Sequence, residues 1–258
     1  MPFYRDFDDW QYVTAAERRR KAEHAVAALA RSGARQPSPV VVEGRQMTST
    51  FWGKAWCQNL ERYSDFANRL PRGRSYVRHG AVIDLQITPG TVAARVSGTD
   101  IYRVEVSVSA VPASRWSAIC RDCAGEIDSV VALLQGKLSD RTMARLCDRG
   151  AGLFPSPREI TLRCSCPDRA ALCKHLAAVL YGIGVRLDRE PQLLFVLRKV
   201  NQQDLVAEVG ATLERGVRKP RNARVLDADL SEVFGIEISD AIPPTVKPSR
   251  RPRRSAER

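Results

Sequence analysis

The sequence predicts an α+β fold, in which a small antiparallel three-stranded meander packs on helices and is followed by a helical region. Three observations support this prediction. Apolar residues alternate through three short runs between residues 81 and 108, as in half-buried strands. Aromatic and aliphatic residues recur at helical spacing between residues 52 and 66. Helical periodicity returns from residue 114 onward, after the last of the alternating runs.

The composition is that of a globular protein with a strongly basic balance. The chain has 258 residues, 44% of them hydrophobic, and a formal net charge of +12, so it is long enough to bury a core. Its longest apolar run, Leu176 to Val185, falls short of the roughly 20 residues that a membrane span needs. The first residues include acids and lack the apolar segment of a secretory signal. We expect a cytoplasmic or nucleoid-associated protein with no membrane partner, whose cysteines stay reduced.

Residues 1–48 are predicted to form a basic helical arm and a linker. Thr14 and Glu17 have the spacing of a capping box, which predicts a helix from there to near Gly33. The apolar stripe of this helix is thin, so we expect it to dock weakly or to move as an arm. The segment 33–48 contains several Pro and Gly residues, as linkers do.

Residues 49–110 are predicted to form a small α+β domain. Turns at Pro89-Gly90 and Gly98 separate its three strands. A meander with one apolar face needs a cover, and we expect the preceding helix, which contains two tryptophans, to provide it. The apolar stripe of that helix consists of Trp52, Trp56, Leu60, Tyr63 and Phe66. Such a stripe can stack nucleobases, but the helical spacing favours core packing.

Residues 111–214 are predicted to be mainly helical. Cys120 and Cys123 have the form of half a zinc site or a redox pair, but their spacing places them on one helix face, which favours buried thiols. Pro, Arg and Ser increase after residue 215, so we expect a basic, largely disordered tail at 215–258 with at most a short helix at 227–234. The predicted elements of the region are helices within 114–134 and at 139–147, 174–181, 192–199 and 204–213, with a strand at 159–163.

Four candidate metal ligands lie within a short segment. Cys164 and Cys166 are separated by one residue, as are Cys173 and His175, and six residues lie between the two pairs. Residues i and i+2 share one side of a strand but do not face each other in a helix. We therefore expect the first pair on a strand, a turn at Pro167-Asp168, Cys173 in a loop and His175 in the first turn of a helix. Three thiolates and one imidazole form a closed tetrahedral set that suits a structural Zn²⁺ ion.

The pattern Cys-x-Cys, a spacer and Cys-x-His resembles the signature of the SWIM-type zinc finger at all four ligand positions. The resemblance implies a ββα-like finger over residues 158–185, with zinc as its cofactor. Residues 49–200 also resemble a group of bacterial SWIM proteins that are often encoded beside Snf-type helicase-like ATPases. This resemblance rests on the segments 51–56 and 152–157. That wider resemblance implies such an ATPase as a partner. The chain has no ATPase or transposase domain from which an activity would follow.

Cationic residues are concentrated near the two ends of the chain. Residues 14–35 contain six Lys and Arg against two Glu, and residues 244–258 contain six against one. Such clusters favour contacts with polyanions, although a solvated helix face and a solubilising tail have the same composition. Cations beside the ligands either offset the formal charge of about −1 on zinc with three thiolates or contact phosphates. The candidate nucleic-acid contacts are Arg163, Arg169, Lys174, Arg18, Arg19, Arg20, Lys21, Arg250, Arg251, Arg253 and Arg254.

The sequence contains no recognised catalytic motif. Phosphate-binding loops, dinucleotide fingerprints, the His-Glu-x-x-His motif and the nucleophile elbow are all missing. We therefore expect a protein that is not an enzyme. The favoured function is an accessory protein that binds nucleic acid, with DNA preferred, or serves as an adapter to a helicase-like ATPase. The alternative is a protein-interaction subunit with a structural zinc and no direct nucleic-acid role.

Overall fold

The computed structural model describes residues 14–31, 35–63, 69–168 and 170–206. The helices are α1 (Ala15–Arg31), α2 (Phe51–Glu61), α3 (Leu70–Arg78), α4 (Ala113–Asp122), α5 (Val130–Leu134), α6 (Asp140–Leu146), α7 (Lys174–Arg189) and α8 (Gln192–Arg198). The strands are β1 (Val82–Thr88), β2 (Thr91–Ser97), β3 (Ile101–Val108) and β4 (Ile160–Cys164), and a 3₁₀ turn precedes β4. The predicted tail at 215–258, the helix at 227–234 and most of that at 204–213 lie outside the described residues.

The four strands form one antiparallel sheet in the order β1-β2-β3-β4. The expected α+β class with an antiparallel sheet packed on helices is confirmed, but the prediction of three strands was wrong. The fourth strand is the segment predicted at 159–163, and it pairs with β3 so that Val104 faces Cys164 and Val106 faces Leu162. This pairing spans the boundary that the sequence places at residue 110, and it brings the metal-ligand segment to the edge of the meander.

The apolar face of the sheet is covered by α7. This helix reads Lys-His-Leu-Ala-Ala-Val-Leu-Tyr-Gly-Ile-Gly-Val-Arg-Leu-Asp-Arg, and most of its residues are buried on every side. A helix that is apolar all round belongs in the interior of a protein. At Gly182 the backbone comes close to Leu85 of β1, because an added Cβ would lie 3.0 Å from that side chain. The expectation that α2 covers the sheet was therefore wrong, since α2 has a polar face and packs on α7 instead.

Helices α2 and α3 both pack on one stripe of α7. Ala177 and Gly184 are seven residues apart on α7 and so lie on the same face, away from Gly182. An added Cβ at Gly73 of α3 would lie 2.4 Å from the Cβ of Ala177, and one at Gly53 of α2 would lie 2.8 Å from the Gly184 carbonyl oxygen. Both helices thus approach α7 at glycines, which places the helix backbones close together.

The tryptophans of α2 are core residues, as the helical spacing predicts. Trp52 and Trp56 are fully buried, and their indole N–H groups donate to the carbonyl oxygens of Leu133 and Leu180 at 3.0 and 2.8 Å. Phe66, the last residue of the predicted stripe, lies outside the described residues. A stacking platform for nucleobases is incompatible with this burial, because the rings are not accessible.

The amino-terminal helix begins as predicted. The Thr14 backbone N–H donates to the Glu17 carboxylate at 2.7 Å, and the Glu17 N–H donates to Thr14 Oγ1 at 3.2 Å, which is a capping box. The segment predicted as a linker runs along the edge of β1, where Val40 N–H donates to the Val82 carbonyl oxygen at 3.0 Å. Among the described helices none is long and apolar enough to cross a membrane.

Candidate metal centre

Each of the four candidate ligands is positioned by a different part of the strand–turn–helix segment. Cys164 is the last residue of β4, and the pairing with β3 continues one residue further, where Ser165 N–H donates to the Arg103 carbonyl oxygen at 3.0 Å. Cys173 is the N-cap of α7, and its Sγ accepts from the Leu176 N–H at 3.4 Å. His175 is the second residue of α7. The ligand spacing predicts these positions for Cys164, Cys173 and His175. Cys166 lies two residues beyond the end of β4, so the expectation that the whole first pair lies on a strand was wrong.

The turn between the two pairs is closed by an aspartate. The Ala170 N–H donates to the Asp168 carboxylate at 3.1 Å, which is the Asx type of turn expected where the chain reverses. The Asp168 carboxylate also lies 3.8 Å from a guanidinium nitrogen of Arg69. The backbone carbonyl of Asp168 faces Cys166, whose Sγ lies 4.0 Å away. The turn thus reverses the direction of the chain and brings Cys166 close to Cys173.

The ligand atoms of Cys164, Cys166, Cys173 and His175 all lie within 4.8 Å of one another. The Nδ1 atom of His175 is 4.0 Å from the Sγ of both Cys164 and Cys173. With a Zn–S bond of about 2.3 Å and a Zn–N bond of about 2.0 Å, the S···N edge of a tetrahedral site is roughly 3.5 Å. The observed edge is therefore within about half an ångström of the bound geometry. The soft donor set and the spacing both fit Zn²⁺, with Nδ1 as the imidazole ligand.

Aromatic side chains hold the imidazole ring in place. The Tyr102 ring lies 4.3 Å from the His175 ring, centroid to centroid, at an interplanar angle of 30°, and the Tyr76 ring packs edge-on at 5.6 Å. His175 is only 3% exposed, and its Nε2 atom has no hydrogen-bond partner among the described residues. Gly98 lies next to this nitrogen, because a Cβ built there would be 2.9 Å from it. The other ring nitrogen, Nδ1, is thereby directed at the thiols.

The three thiols hold protons unequally. The hydrogen bond with Cys164, helped by His175 and the Leu176 N–H against the effect of burial, lowers the pKa of the Cys173 thiol to about 4. The same hydrogen bond raises the pKa of Cys164, and burial raises that of Cys166. Cys173 therefore loses its proton more readily than Cys164 and Cys166. Binding of Zn²⁺ displaces the thiol protons that remain, as expected for a zinc–thiolate site.

The predicted cationic contacts have different surroundings. Arg163 is exposed on β4, directly before the first ligand. Lys174 is partly buried, and its ammonium group lies 5.5 Å above the Tyr76 ring, so it is engaged within the protein. Arg19, Arg20 and Lys21 are exposed on α1, where Lys21 also donates to the Thr99 carbonyl oxygen. Arg18 lies on the same helix. Arg169 and the tail residues Arg250, Arg251, Arg253 and Arg254 lie outside the described residues.

The remaining cysteines of the chain are away from this cluster. Cys120 and Cys123 are buried, as their spacing on one helix face predicts, and burial raises the pKa of Cys123. Burial likewise raises the pKa of Cys57, to about 12. Among the described residues, these three cysteines and one histidine, Cys164, Cys166, Cys173 and His175, are the group of His, Cys, Asp and Glu side chains that could hold a metal.

The residues that position the histidine are not evident from the sequence. Tyr102 falls in the last of the predicted strands, Gly98 in a predicted turn and Tyr76 outside the predicted elements. The contact between Tyr102 and His175 joins residues far apart in the chain, and nothing in the local pattern indicates it. The burial of Gly98 between two rings is likewise a consequence of the sheet register.

Comparison with known proteins supports the same site. The family model of the SWIM zinc finger matches residues 148–182, which contain all four ligands. The uncharacterized protein Rv2102 of Mycobacterium tuberculosis is 35% identical over 173 residues, which cover 66% of this chain and 62% of that protein. The matched part of the chain thus spans less than two thirds of that relative. No solved structure matches the chain. The ligand pattern, the clustered donor atoms and the family match agree, and the chain contains a SWIM zinc finger with a Cys3His site for Zn²⁺.

Proposed function

We propose that this protein binds nucleic acid through a basic surface whose shape depends on the zinc centre, and that the zinc has a structural role. All four ligands come from the protein, so a tetrahedral ion has no position left for water or substrate. Cys173 and His175 are almost completely buried, at 1% and 3% exposure. A closed and buried ion contributes to folding rather than to chemistry.

The observation that carries the proposal is the exposed Arg163 on the strand that ends in the first ligand. The zinc centre fixes the end of β4, so it also fixes the position of this cation. The chain as a whole has a net charge of +12, and the exposed residues Arg19 and Arg20 of α1 add to the basic surface. Basic surfaces of this kind attract the phosphate backbone without regard to sequence.

The proposal is tested by titrating the full chain against a fluorescent duplex DNA at about 50 and about 200 mM salt. Each neutralised phosphate contributes about −0.9 to the slope of log K against log salt, so three contacts weaken binding roughly 40-fold over this range. The same titration after zinc removal with a chelator, followed by zinc restoration, is the control for the role of the metal. We expect affinity to fall on chelation and to recover with zinc. A DNA affinity that does not change with salt concentration, or the absence of DNA binding, would contradict the proposal.

A second candidate function, an adapter for a protein partner such as a helicase-like ATPase, is supported by a groove between α1 and residues 39–42. The groove has a volume of about 550 Å³. Val41 in its wall is 51% exposed, and clustered apolar surface favours protein contacts. The apolar residues that line it are Ala22, Val26, Ala27, Pro39, Val40, Val41, Val42 and Val77.

The adapter function is tested by co-purification of the full chain with a candidate ATPase. Val41→Asp should reduce the retained partner if the groove is the contact site. Val131→Asp is the matched control, because Val131 is 62% exposed elsewhere on the surface. Equal retention by both variants would exclude the groove.

A further inference from the structure

The outer face of the sheet presents arginines from three neighbouring strands. Arg95 on β2, Arg103 on β3 and Arg163 on β4 are all exposed. They line a shallow cavity of about 460 Å³, together with Arg35 and the carboxylates Asp84 and Glu105. Of these arginines only Arg163 is evident from the sequence as a candidate contact, because the others become neighbours through the strand register.

The register places two of these cations directly opposite each other. Arg95 and Arg103 are cross-strand partners in the pairing of β2 with β3. Like charges at opposed positions of an antiparallel pair destabilise the sheet. Among the described residues, neither guanidinium group lies within ion-pair distance of a carboxylate. A bound anion would relieve this repulsion.

The acidic residues in the cavity do not neutralise its arginines, so the face has an excess of positive charge. Asp84 is engaged by Arg35 at 2.6 Å and by the Ser38 N–H at 3.0 Å. Asp84 also faces Arg95 across the strands, and Glu105 faces Arg163. Four arginines and two carboxylates line the cavity, so its formal charge is 4 − 2 = +2. The face therefore complements an anion with several charges rather than a single carboxylate.

The spacing of the arginines fits a phosphate backbone. Neighbouring strands lie about 4.8 Å apart, so arginines on three strands are spread over about 10 Å across the sheet. A spread of this size lets long guanidinium side chains reach successive phosphates of one DNA strand. None of the described residues that line the cavity is aromatic. Stacking on unpaired bases needs such rings, so backbone contact is the mode that this face supports.

The face is joined to the zinc centre by the last residues of β4. Arg163 precedes the ligand Cys164, and the Arg103 N–H donates to Ser165 Oγ, between the ligands Cys164 and Cys166, at 3.0 Å. Cys164 itself lies in the wall of the cavity. A metal bound at this site would therefore fix the end of β4 and, with it, the position of Arg163.

We propose that the outer sheet face formed by Arg95, Arg103 and Arg163 is the surface that contacts the phosphate backbone of duplex DNA, without readout of the bases. This inference rests on the proposed function and assigns it a site. It predicts that the three arginines bind the same stretch of DNA backbone. Their contribution to the DNA affinity should be proportional to the number of phosphates that they neutralise.

The test compares the full-length triple variant R95Q/R103Q/R163Q with the matched control R72Q/R121Q/R158Q. The control removes the same charge from arginines that are exposed and without an ion pair among the described residues. With a duplex DNA of about 20 base pairs, we expect the sheet variant to weaken binding at least tenfold. Its salt slope should decrease by about 2–3, since each phosphate contact contributes about 0.9. The control should change the affinity less than threefold.

The outcomes separate this inference from the proposed function. Absence of DNA binding by the unmodified chain would contradict both. Salt-dependent binding of the unmodified chain with equal losses in the two triple variants would leave the proposed function intact and overturn the sheet face as its site. Polyglutamate is the probe for an acidic protein partner. If it binds as tightly as DNA and with the same dependence on the three arginines, the nucleic-acid assignment is wrong.

Folding of the sheet variant has its own readout. Zinc content and circular dichroism should match those of the unmodified chain, because the three side chains are exposed. Removal of the opposed pair Arg95 and Arg103 should leave the melting temperature unchanged or raise it, since like-charge repulsion is lost. A lower melting temperature would show that the arginines are needed for the fold, which would contradict the inference.

Discussion

The ring of Tyr102 lies against the imidazole of His175, with 4.3 Å between the ring centroids. In many zinc sites the second nitrogen of a ligating histidine donates to a carboxylate or a carbonyl group, which fixes the ring. Here Nε2 has no such partner among the described residues, and packing against Tyr102 and Tyr76 takes that role. A residue of the sheet thus positions a ligand on the central helix, and the meander is part of the metal site.

The first prediction concerns the space beside this ring. Gly98→Ala would place a Cβ 2.9 Å from Nε2 of His175 and 2.9 Å from the Tyr102 ring, so the rings must shift. Residues that orient a ligand typically affect metal affinity about 10- to 100-fold, and we expect a loss of that size. Competition with a chromophoric chelator measures the zinc dissociation constant. Thr99→Ala, a neighbouring exposed position, is the control. Equal affinities in the two variants would show that ring packing does not position His175.

The second prediction concerns the contact between α3 and α7. Alanine is normally about 1 kcal/mol better than glycine inside a helix, so Gly73→Ala should stabilise α3 in isolation. In the folded protein the added Cβ would lie 2.4 Å from the Ala177 Cβ and 2.6 Å from its carbonyl carbon. Overpacking of this kind costs about 1–3 kcal/mol, so we expect a lower melting temperature. Arg72→Ala, on the exposed side of α3, should lower it much less. A rise in melting temperature for Gly73→Ala would contradict the close helix contact.

The third prediction concerns a buried ion pair between the 3₁₀ turn and α8. The guanidinium group of Arg198, which is fully buried, donates to Glu159 at 2.8 Å, and Arg115 donates to the same oxygen at 3.0 Å. Glu159→Gln leaves the buried Arg198 charge without its partner, which typically costs about 3–5 kcal/mol. Chemical denaturation measures the loss. Glu43→Gln removes the exposed pair with Arg189 and should cost no more than about 1 kcal/mol. Similar values for the two variants would argue against a buried pair.

The fourth prediction is the pH dependence of that pair. Burial alone would raise the pKa of Glu159, but hydrogen bonds from Ser156 and Arg198 lower it from 4.5 to about 2. A lowered pKa stabilises the folded state above the ordinary value, and this stabilisation is lost as the pH falls from about 4.5 to about 2. The difference in melting temperature between the unmodified protein and Glu159→Gln should therefore shrink between pH 5 and pH 3. A constant difference would show that the carboxylate is not responsible.

The sequence alone identified the four ligands because metal coordination imposes local spacing. The end of a strand places Cys164 and the start of a helix places Cys173 and His175, so for these three the pattern indicates both structure and chemistry. The Thr14–Glu17 capping box and the buried tryptophans of α2 were predictable for the same reason. Each of these features depends only on residues that are close together in the sequence.

Features that depend on distant contacts were missed. The segment of α3 reads Leu-Pro-Arg-Gly-Arg-Ser-Tyr-Val-Arg, whose Gly73 weakens an isolated helix, and it is helical because that glycine fits against Ala177. The pairing of β4 with β3 joins Val108 to Ile160, residues far apart in the chain, so the fourth strand appears only in the fold. The all-round apolar surface of α7 was visible in the sequence, and it indicated an interior helix that was not recognised as the cover of the sheet.

The central claim is that Cys164, Cys166, Cys173 and His175 bind one zinc ion that holds β4 to the start of α7. Its most direct test is the metal content of the purified chain, measured by inductively coupled plasma mass spectrometry on the unmodified protein, Cys173→Ser and Cys147→Ser. Cys147 lies outside the cluster and is partly buried, so it is the matched control. We expect close to one zinc per chain in the unmodified protein and in Cys147→Ser, and a large loss in Cys173→Ser. Full zinc content in Cys173→Ser, or a folded unmodified protein without zinc, would contradict the claim.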